Sequence, residues 1–157
     1  MLGTAQKTSV QNGAFVNGVL CHALDYDDTT WGFMGHPSAV IVPTVLAVGE
    51  TYKISEADVL KAFIIGTEVS CRLGELTKPT LYENGWHATS VVGVLGAAAA
   101  AGYLLKLDVQ QLENCFGIAA TTAFGLRSGM AFEASVQDPR AYFSSITILL
   151  LSIKKTK

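Results

Sequence analysis

The sequence predicts an all-α fold, and three observations support this prediction. Apolar residues recur at spacings of three and four through several long stretches, which is the period of a helix with one buried face. Hydroxyl or acidic residues stand before several of these stretches, where a helix N-cap belongs. The chain has no alternation of strand and helix patterns and no G-x-G-x-x-G motif, so nothing in it favours a doubly wound sheet.

The first two predicted helices flank a polar junction. Thr8 or Ser9 can cap the first helix, and Pro43 lies near the first turns of the second, where proline is best tolerated. The second helix is expected to run from Ser38 to about Tyr52 and is apolar on nearly every side. The apolar stripe of the first helix consists of Ala14, Val16, Val19, Leu20, Ala23 and Leu24.

A third helix begins with a clear start signal. Ser55 is a hydroxyl cap, and an acid, Asp58, follows three residues later. Glu68 and Arg72 stand four residues apart in this helix, the spacing at which side chains of opposite charge pair. Residues 76–85 then read as a loop because they contain Lys-Pro and Asn-Gly pairs.

The fourth predicted helix covers residues 88–106 and is built mainly from alanine and glycine. A membrane span needs roughly 20 apolar residues and must be considered. Because aromatic and basic flanks are absent, we favour a buried central helix packed on small residues. A fifth helix, capped by Asp108, should end at Phe124. Residues 142–153 are compatible with a sixth helix or a strand.

Composition limits the class of protein. Half of the 157 residues are apolar and only 15% are charged, which fits a domain buried on more than one side by a partner or by further protein. The net charge of -2 gives no reason to expect binding to nucleic acid or to an anionic membrane. Cys21, Cys71 and Cys115 are widely spaced and read as buried thiols. Residues 1–11 contain no apolar signal segment, so we predict a cytoplasmic protein.

Titratable groups concentrate between the first two helices, in residues 22–39. The plain interpretation of this segment is a solvated acidic turn in which Asp28 or Thr29 caps a helix. The alternative is a functional site, because the imidazole of His36 is held beside Pro37 and close to several carboxylates. His22, at the end of the first helix, is assigned a structural role.

Three separated motifs in a fixed order give a resemblance to a known family. They are Asp-Tyr-Asp-Asp-Thr at 25–29, Gly-His-Pro-Ser-Ala at 35–39 and Gly-Trp-His-Ala-Thr at 85–89. Together they resemble the MmgE/PrpD family, which includes 2-methylcitrate dehydratase, cis-aconitate decarboxylase and iminodisuccinate epimerase. The resemblance covers residues 10–127.

The resemblance implies a lyase of the 2-methylcitrate dehydratase type that acts on a small di- or tricarboxylate. Removing water from a hydroxy acid needs a base, an acid and anchors for the carboxylates. The two motif histidines stand at two helix starts, where backbone N–H groups can face an anion. No cofactor and no metal are implied. The implied catalytic residues are Asp25, Thr29, His36 and His87, and the predicted substrate-binding residues are Ser38, Trp86 and Thr89.

The chain also departs from the family pattern. Relatives carry an active-site lysine after the position of Leu126, whereas this sequence has no lysine between Arg127 and Lys154. Relatives are also longer and include an α+β lid domain. We therefore expect residues 1–127 to be part of a helical domain and residues 128–157 to be a divergent tail. The alternative function is a catalytically inactive, truncated helical module that acts as an oligomeric or interaction protein. In either case we expect a homo-oligomer, a homodimer.

Overall fold

The structure is a computed structural model that describes residues 1–127 and places six α-helices in them. Two isolated β-bridges are the other regular pairings in this part of the chain, so the predicted all-α fold is confirmed. The predictions for residues 128–157 lie outside the described residues. The helices are α1 (Val10–His22), α2 (Pro37–Tyr52), α3 (Glu56–Thr77), α4 (Thr80–Glu83), α5 (Ala88–Leu104) and α6 (Val109–Thr121).

Three predicted helix starts are confirmed by their capping hydrogen bonds. The side chains of Ser9, Ser55 and Asp108 each accept a hydrogen bond from a backbone N–H in the first turn of the helix that follows. Asp108 forms a complete capping box. The predicted ion pair is also present, with Arg72 Nε 2.7 Å from Glu68 Oε1, but its exposure keeps its contribution to stability small.

The predicted loop at 76–85 is partly wrong. Helix α3 continues to Thr77, whose hydroxyl donates to the carbonyls of Leu73 and Gly74. The short helix α4 then occupies the middle of the predicted loop, and Pro79 stands directly before it, where a missing N–H costs nothing. Helix α6 also ends at Thr121, earlier than predicted.

Helix α5 is the centre of the domain. It packs against α2, α3 and α6, and nearly all of its residues are buried. The core on its surface includes Ile41, Val45 and Val48 of α2 and Ala62 of α3. Within residues 1–127, none of the helices combines the length and the hydropathy that a membrane crossing requires. The close packing of α5 against α2, α3 and α6 agrees with the predicted role of its small residues.

The three cysteines are free thiols with different degrees of burial. Cys115 lies in the core, and this burial raises the pKa of its thiol to about 11. Cys21 and Cys71 are half-buried. Burial raises the pKa of the Cys21 thiol, and the negative charges of Asp27 and Asp28 raise it further.

Candidate active site

The polar segment after α1 reverses direction at Asp25. Its φ of 54° is in the left-handed region, which aspartate tolerates better than most residues, and its N–H donates to the carbonyl of His22. This reversal brings Asp27 back to the end of α1. His22 Nδ1 donates to Asp27 Oδ1 at 2.8 Å.

Asp27 lies between two imidazoles. The side chain of His22 is 1% exposed and that of Asp27 5% exposed, so this pair is buried. The second oxygen, Asp27 Oδ2, lies 3.6 Å from His36 Nδ1. The rings of His22 and His36 are also in contact, with centroids 4.4 Å apart and planes tilted by 58°.

Two further predicted residues face His36 from the solvent side. Asp25 Oδ1 is 3.7 Å from His36 Nε2, and the Asp25 side chain is 64% exposed. Thr29 is exposed and lines a cavity of about 220 Å³ together with His36 and Trp31. The structure thus brings Asp25, Thr29 and His36 together. The distance of 3.7 Å is too long for Asp25 to fix the tautomer of His36 by a direct hydrogen bond.

The starts of α2 and α5 are joined by a hydrogen bond across 53 residues. The backbone N–H of His36, the N-cap of α2, donates to Thr89 Oγ1 at 3.1 Å. Thr89 is buried in the first turn of α5, and His87, the N-cap of α5, is also buried. The backbone N–H of His87 donates to the carbonyl of Gly125. A shared catalytic role for His36 and His87 stays a prediction.

The remaining predicted residues lie at the edges of this arrangement. The N–H of Ser38 donates to Asp28 Oδ1 at 3.0 Å, which agrees with the predicted capping role of Asp28. One of the first N–H groups of α2 is therefore already paired with a carboxylate of the chain itself. Trp86 is partly exposed and forms a β-bridge with Leu126.

A cation lies beside the cavity. Lys78 Nζ, on the segment after α3, donates to the backbone carbonyl of Trp31 at 2.9 Å. Trp31 lines the same cavity as Thr29 and His36. The hydrogen bond to the Trp31 carbonyl therefore holds the ammonium group of Lys78 next to a residue of the cavity wall. Sequence analysis alone does not predict this contact, because it joins residues 47 apart.

A family profile described as the MmgE/PrpD N-terminal domain matches residues 1–151 of the chain. The chain belongs to the MmgE/PrpD family. The matched range includes residues 128–151, which the sequence analysis assigns to a divergent tail, and the boundary at residue 127 stays a prediction.

The similar proteins include cis-aconitate decarboxylases from animals and a fungus. The enzymes of Mus musculus and Homo sapiens are each 40% identical to this chain over 115 residues, which is 70% of the chain and 23% and 24% of those proteins. The enzyme of Aspergillus terreus is 34% identical over 134 residues, 82% of the chain and 27% of that protein. This MmgE/PrpD chain thus spans about a quarter of the length of these relatives.

His22 and Asp27 belong to the candidate site of this MmgE/PrpD chain, although the sequence analysis did not place them there. His22 is assigned a structural role there because it belongs to α1, away from the motif histidines. The structure puts it in ring contact with His36 and in a hydrogen bond with Asp27. The signal that could have found it is a histidine in the last turn of an apolar helix, where a fully buried imidazole needs a polar partner.

The same cluster has the composition of a metal-ligand set. His22, Asp25, Asp27 and His36 each offer one donor atom, and these atoms lie within 4.8 Å of one another. No short motif such as H-x-x-H connects them, because their proximity results from the reversal at Asp25.

Proposed function

We propose that this chain carries the imidazole part of a lyase site for a small di- or tricarboxylate, of the 2-methylcitrate dehydratase type. The observation that carries this proposal is the hydrogen bond from the His36 N–H to Thr89, which joins the two helix starts that bear His36 and His87. The similarity to cis-aconitate decarboxylases supports a small polycarboxylate as the substrate class.

In the proposed reaction, the neutral imidazole of His36 accepts a proton from carbon. The electron pair of that C–H bond forms a carbon–carbon double bond, the C–O bond breaks, and the leaving hydroxide takes a proton from the imidazolium of His87 to give water. Asp25 and Asp27, 3.7 and 3.6 Å from the nitrogens of His36, stabilise the imidazolium that forms on His36.

The substrate carboxylates need positive partners because Asp25 and Asp27 are themselves negative. Lys78 is a suitable partner, since its ammonium group is held at the carbonyl of Trp31 beside the cavity. The hydroxyl of Thr29, which lines this cavity, is a further donor for an anion. In this proposal Lys78 takes over part of the charge neutralisation that a family lysine supplies in relatives.

A one-dimensional NMR titration of the histidine ring protons tests this site. On addition of millimolar citrate, methylcitrate or cis-aconitate, we expect the rings of His36 and His87 to shift together. His36→Ala and His87→Ala should each abolish the shift of the remaining ring. Trimethyl citrate, which lacks the charges, should have no effect.

A matched control separates this site from general attraction of anions. Lys61→Gln removes a cation near Tyr103, at the opposite end of α5 from His87, and should leave the titration unchanged. Absence of any imidazole response to the three acids would contradict the proposal. A response of His36 alone would contradict the shared role of the two histidines.

A second candidate function is favoured by exposed apolar side chains beside the site. Leu24, Tyr26 and Trp31 are 75%, 92% and 85% exposed, which is unusual for three large apolar residues in one short segment. We propose that a second copy of the chain covers them, as expected for a homodimeric helical module. The free thiols of the chain fit a cytoplasmic location for such a module.

Analytical ultracentrifugation tests this dimer. We expect twice the chain mass of 16.6 kDa for the unmodified protein and a shift towards the monomer for Trp31→Ser. Leu76→Ser, another exposed apolar position on a different segment, is the control and should leave the mass unchanged. A monomer across the micromolar range would contradict the dimer.

A further inference from the structure

His87 follows a segment that has little core packing of its own. None of the four residues of the short helix α4 is buried, although Leu81 packs at the edge of a core cluster. His87 itself is 8% exposed and begins the central helix α5. Because apolar burial contributes little to fixing the segment before it, other contacts must set the position of the His87 backbone.

Residues 125–127, here called the strap, provide these contacts through an antiparallel β-bridge to the segment. The N–H of His87 donates to the carbonyl of Gly125 at 2.9 Å, and the N–H of Arg127 donates to the carbonyl of Gly85 at 2.7 Å. The two hydrogen bonds hold the chain on both sides of the bridge, and one of them ends at His87 itself.

The strap approaches α5 so closely that there is no room for a side chain at Gly125. Its φ of 144° is one that residues with a side chain rarely adopt. A Cβ at this position would collide with the hydroxyl of Ser90 and lie 3.7 Å from the Cβ of His87. The same hydroxyl donates to the carbonyl of His87 at 3.0 Å. Gly125 and Ser90 thus hold the two backbone polar groups of His87 from opposite sides.

The side chain of Arg127 attaches the strap to α4. Its guanidinium carbon lies 4.3 Å from the centre of the Tyr82 ring, and Nη1 donates to the Tyr82 carbonyl at 3.2 Å. A planar guanidinium can stack on a ring and donate hydrogen bonds at its edge, which an ammonium group cannot do in the same way. Arg127 therefore contacts the segment before His87 twice, at Tyr82 with its side chain and at Gly85 with its backbone.

We infer that the strap positions the imidazole of His87, with Gly125 and Arg127 as positioning residues of the site. This inference rests on the proposed function, in which His87 protonates the leaving hydroxide. A proton donor must lie within hydrogen-bond reach of the group that it protonates, and a displacement of about 1 Å can lower a rate about 10²-fold. Neither Gly125 nor Arg127 needs to touch the substrate in this role.

Arg127→Ala tests the strap with little effect on the core, because Arg127 is exposed. We expect the thermal midpoint to stay unchanged and the amide of His87 to exchange its hydrogen about fivefold faster. The concentration of citrate, methylcitrate or cis-aconitate that shifts the rings of His36 and His87 should rise at least about fivefold. Gly125→Ala should abolish the response. Because that variant also introduces strain and a collision, Arg127→Ala decides the outcome.

Variants of Tyr82 provide a matched pair. Tyr82→Phe keeps the ring face and the backbone carbonyl and should behave like the unmodified protein. Tyr82→Leu keeps the carbonyl but removes the ring, and it should behave like Arg127→Ala. Arg72→Ala is the control for loss of an exposed arginine, since Arg72 pairs with Glu68 on α3, and it should change neither the amide exchange nor the ring shifts.

The two proposals fail in different ways. If the rings of the unmodified protein do not respond to the three acids, the proposed function fails. If they respond, and Arg127→Ala responds at the same acid concentration, the strap does not position His87 and the proposed function stands. Unchanged exchange of the His87 amide in Arg127→Ala and Tyr82→Leu would overturn the inference whether or not the rings respond.

Discussion

Asp27→Ala is expected to lower the free energy of unfolding by about 2–3 kcal/mol. The imidazole of His22 is 1% exposed, and its hydrogen bond to Asp27 is the one described for its ring nitrogens. Removing the carboxylate leaves His22 buried with neither nitrogen paired and opens space between His22 and His36. Both effects destabilise the folded state.

Urea unfolding followed by circular dichroism measures this effect. The urea concentration at the midpoint of unfolding should fall. The slope of the unfolding free energy against urea concentration should stay the same, since the area exposed on unfolding does not change. Asp27→Asn is the informative partner, because its amide oxygen can still accept the proton of His22 Nδ1, and it should lose less than half as much stability. Asp28→Asn should be close to neutral.

If Asp27→Ala and Asp27→Asn lost the same stability, the charge of Asp27 and not its hydrogen bond to His22 would be what stabilises the contacts of Asp27 with His22 and His36. A loss below about 0.5 kcal/mol for Asp27→Ala would contradict the buried pair altogether, since exposed ion pairs fall in that range.

Sequence reasoning succeeds here where structure is decided locally. Ser9, Ser55 and Asp108 each cap a helix through a side chain that acts within its own first turn, so the signal is contained in a few residues. Helix α4 is missed because Lys-Pro and Asn-Gly pairs indicate turns, and four residues between them are too few for a helical period to be visible.

The residues of the candidate site are only partly predictable from local sequence. The motif residues Asp25, Thr29 and His36 are within one segment and are brought together, as the resemblance implies. His22 joins them only because Asp25 takes a left-handed conformation, and Thr89 and Lys78 join them through contacts across 53 and 47 residues. Such contacts depend on how α2, α3 and α5 pack, which no short stretch of sequence encodes.

The packing of α5 against α3 predicts the second large effect on stability, which is a loss for Gly96→Ala. A Cβ on Gly96 of α5 would collide with the hydroxyl of Ser70 and lie 2.5 Å from the carbonyl oxygen of Gly66, both on α3. Overpacking of this kind costs about 1–3 kcal/mol, and the backbone of Gly66 cannot move aside as a side chain can. Alanine gains about 1 kcal/mol in helix propensity, so we expect a net loss of up to about 2 kcal/mol.

Gly117→Ala in α6 is the matched control. A Cβ added at Gly117 would have nothing within 4 Å. Only the higher helix propensity of alanine then acts, so the variant should be more stable by about 0.5–1 kcal/mol. Thermal and urea unfolding of the pair should therefore move in opposite directions. Movement in the same direction would contradict the close approach of α3 and α5 at Gly96.

The same substitution links packing to the candidate site. If α5 shifts to relieve the collision, Thr89 in its first turn moves relative to the N–H of His36, and the two helix starts separate. Gly96→Ala should then weaken the joint response of His36 and His87 to carboxylates, although it touches neither histidine. Ser70→Ala in the same chain removes one of the two collisions, and Ser70 Oγ has no hydrogen-bond partner among the described residues. The double variant should therefore recover part of both the stability and the response, whereas recovery of stability alone would show that the spacing of α3 and α5 does not position the site.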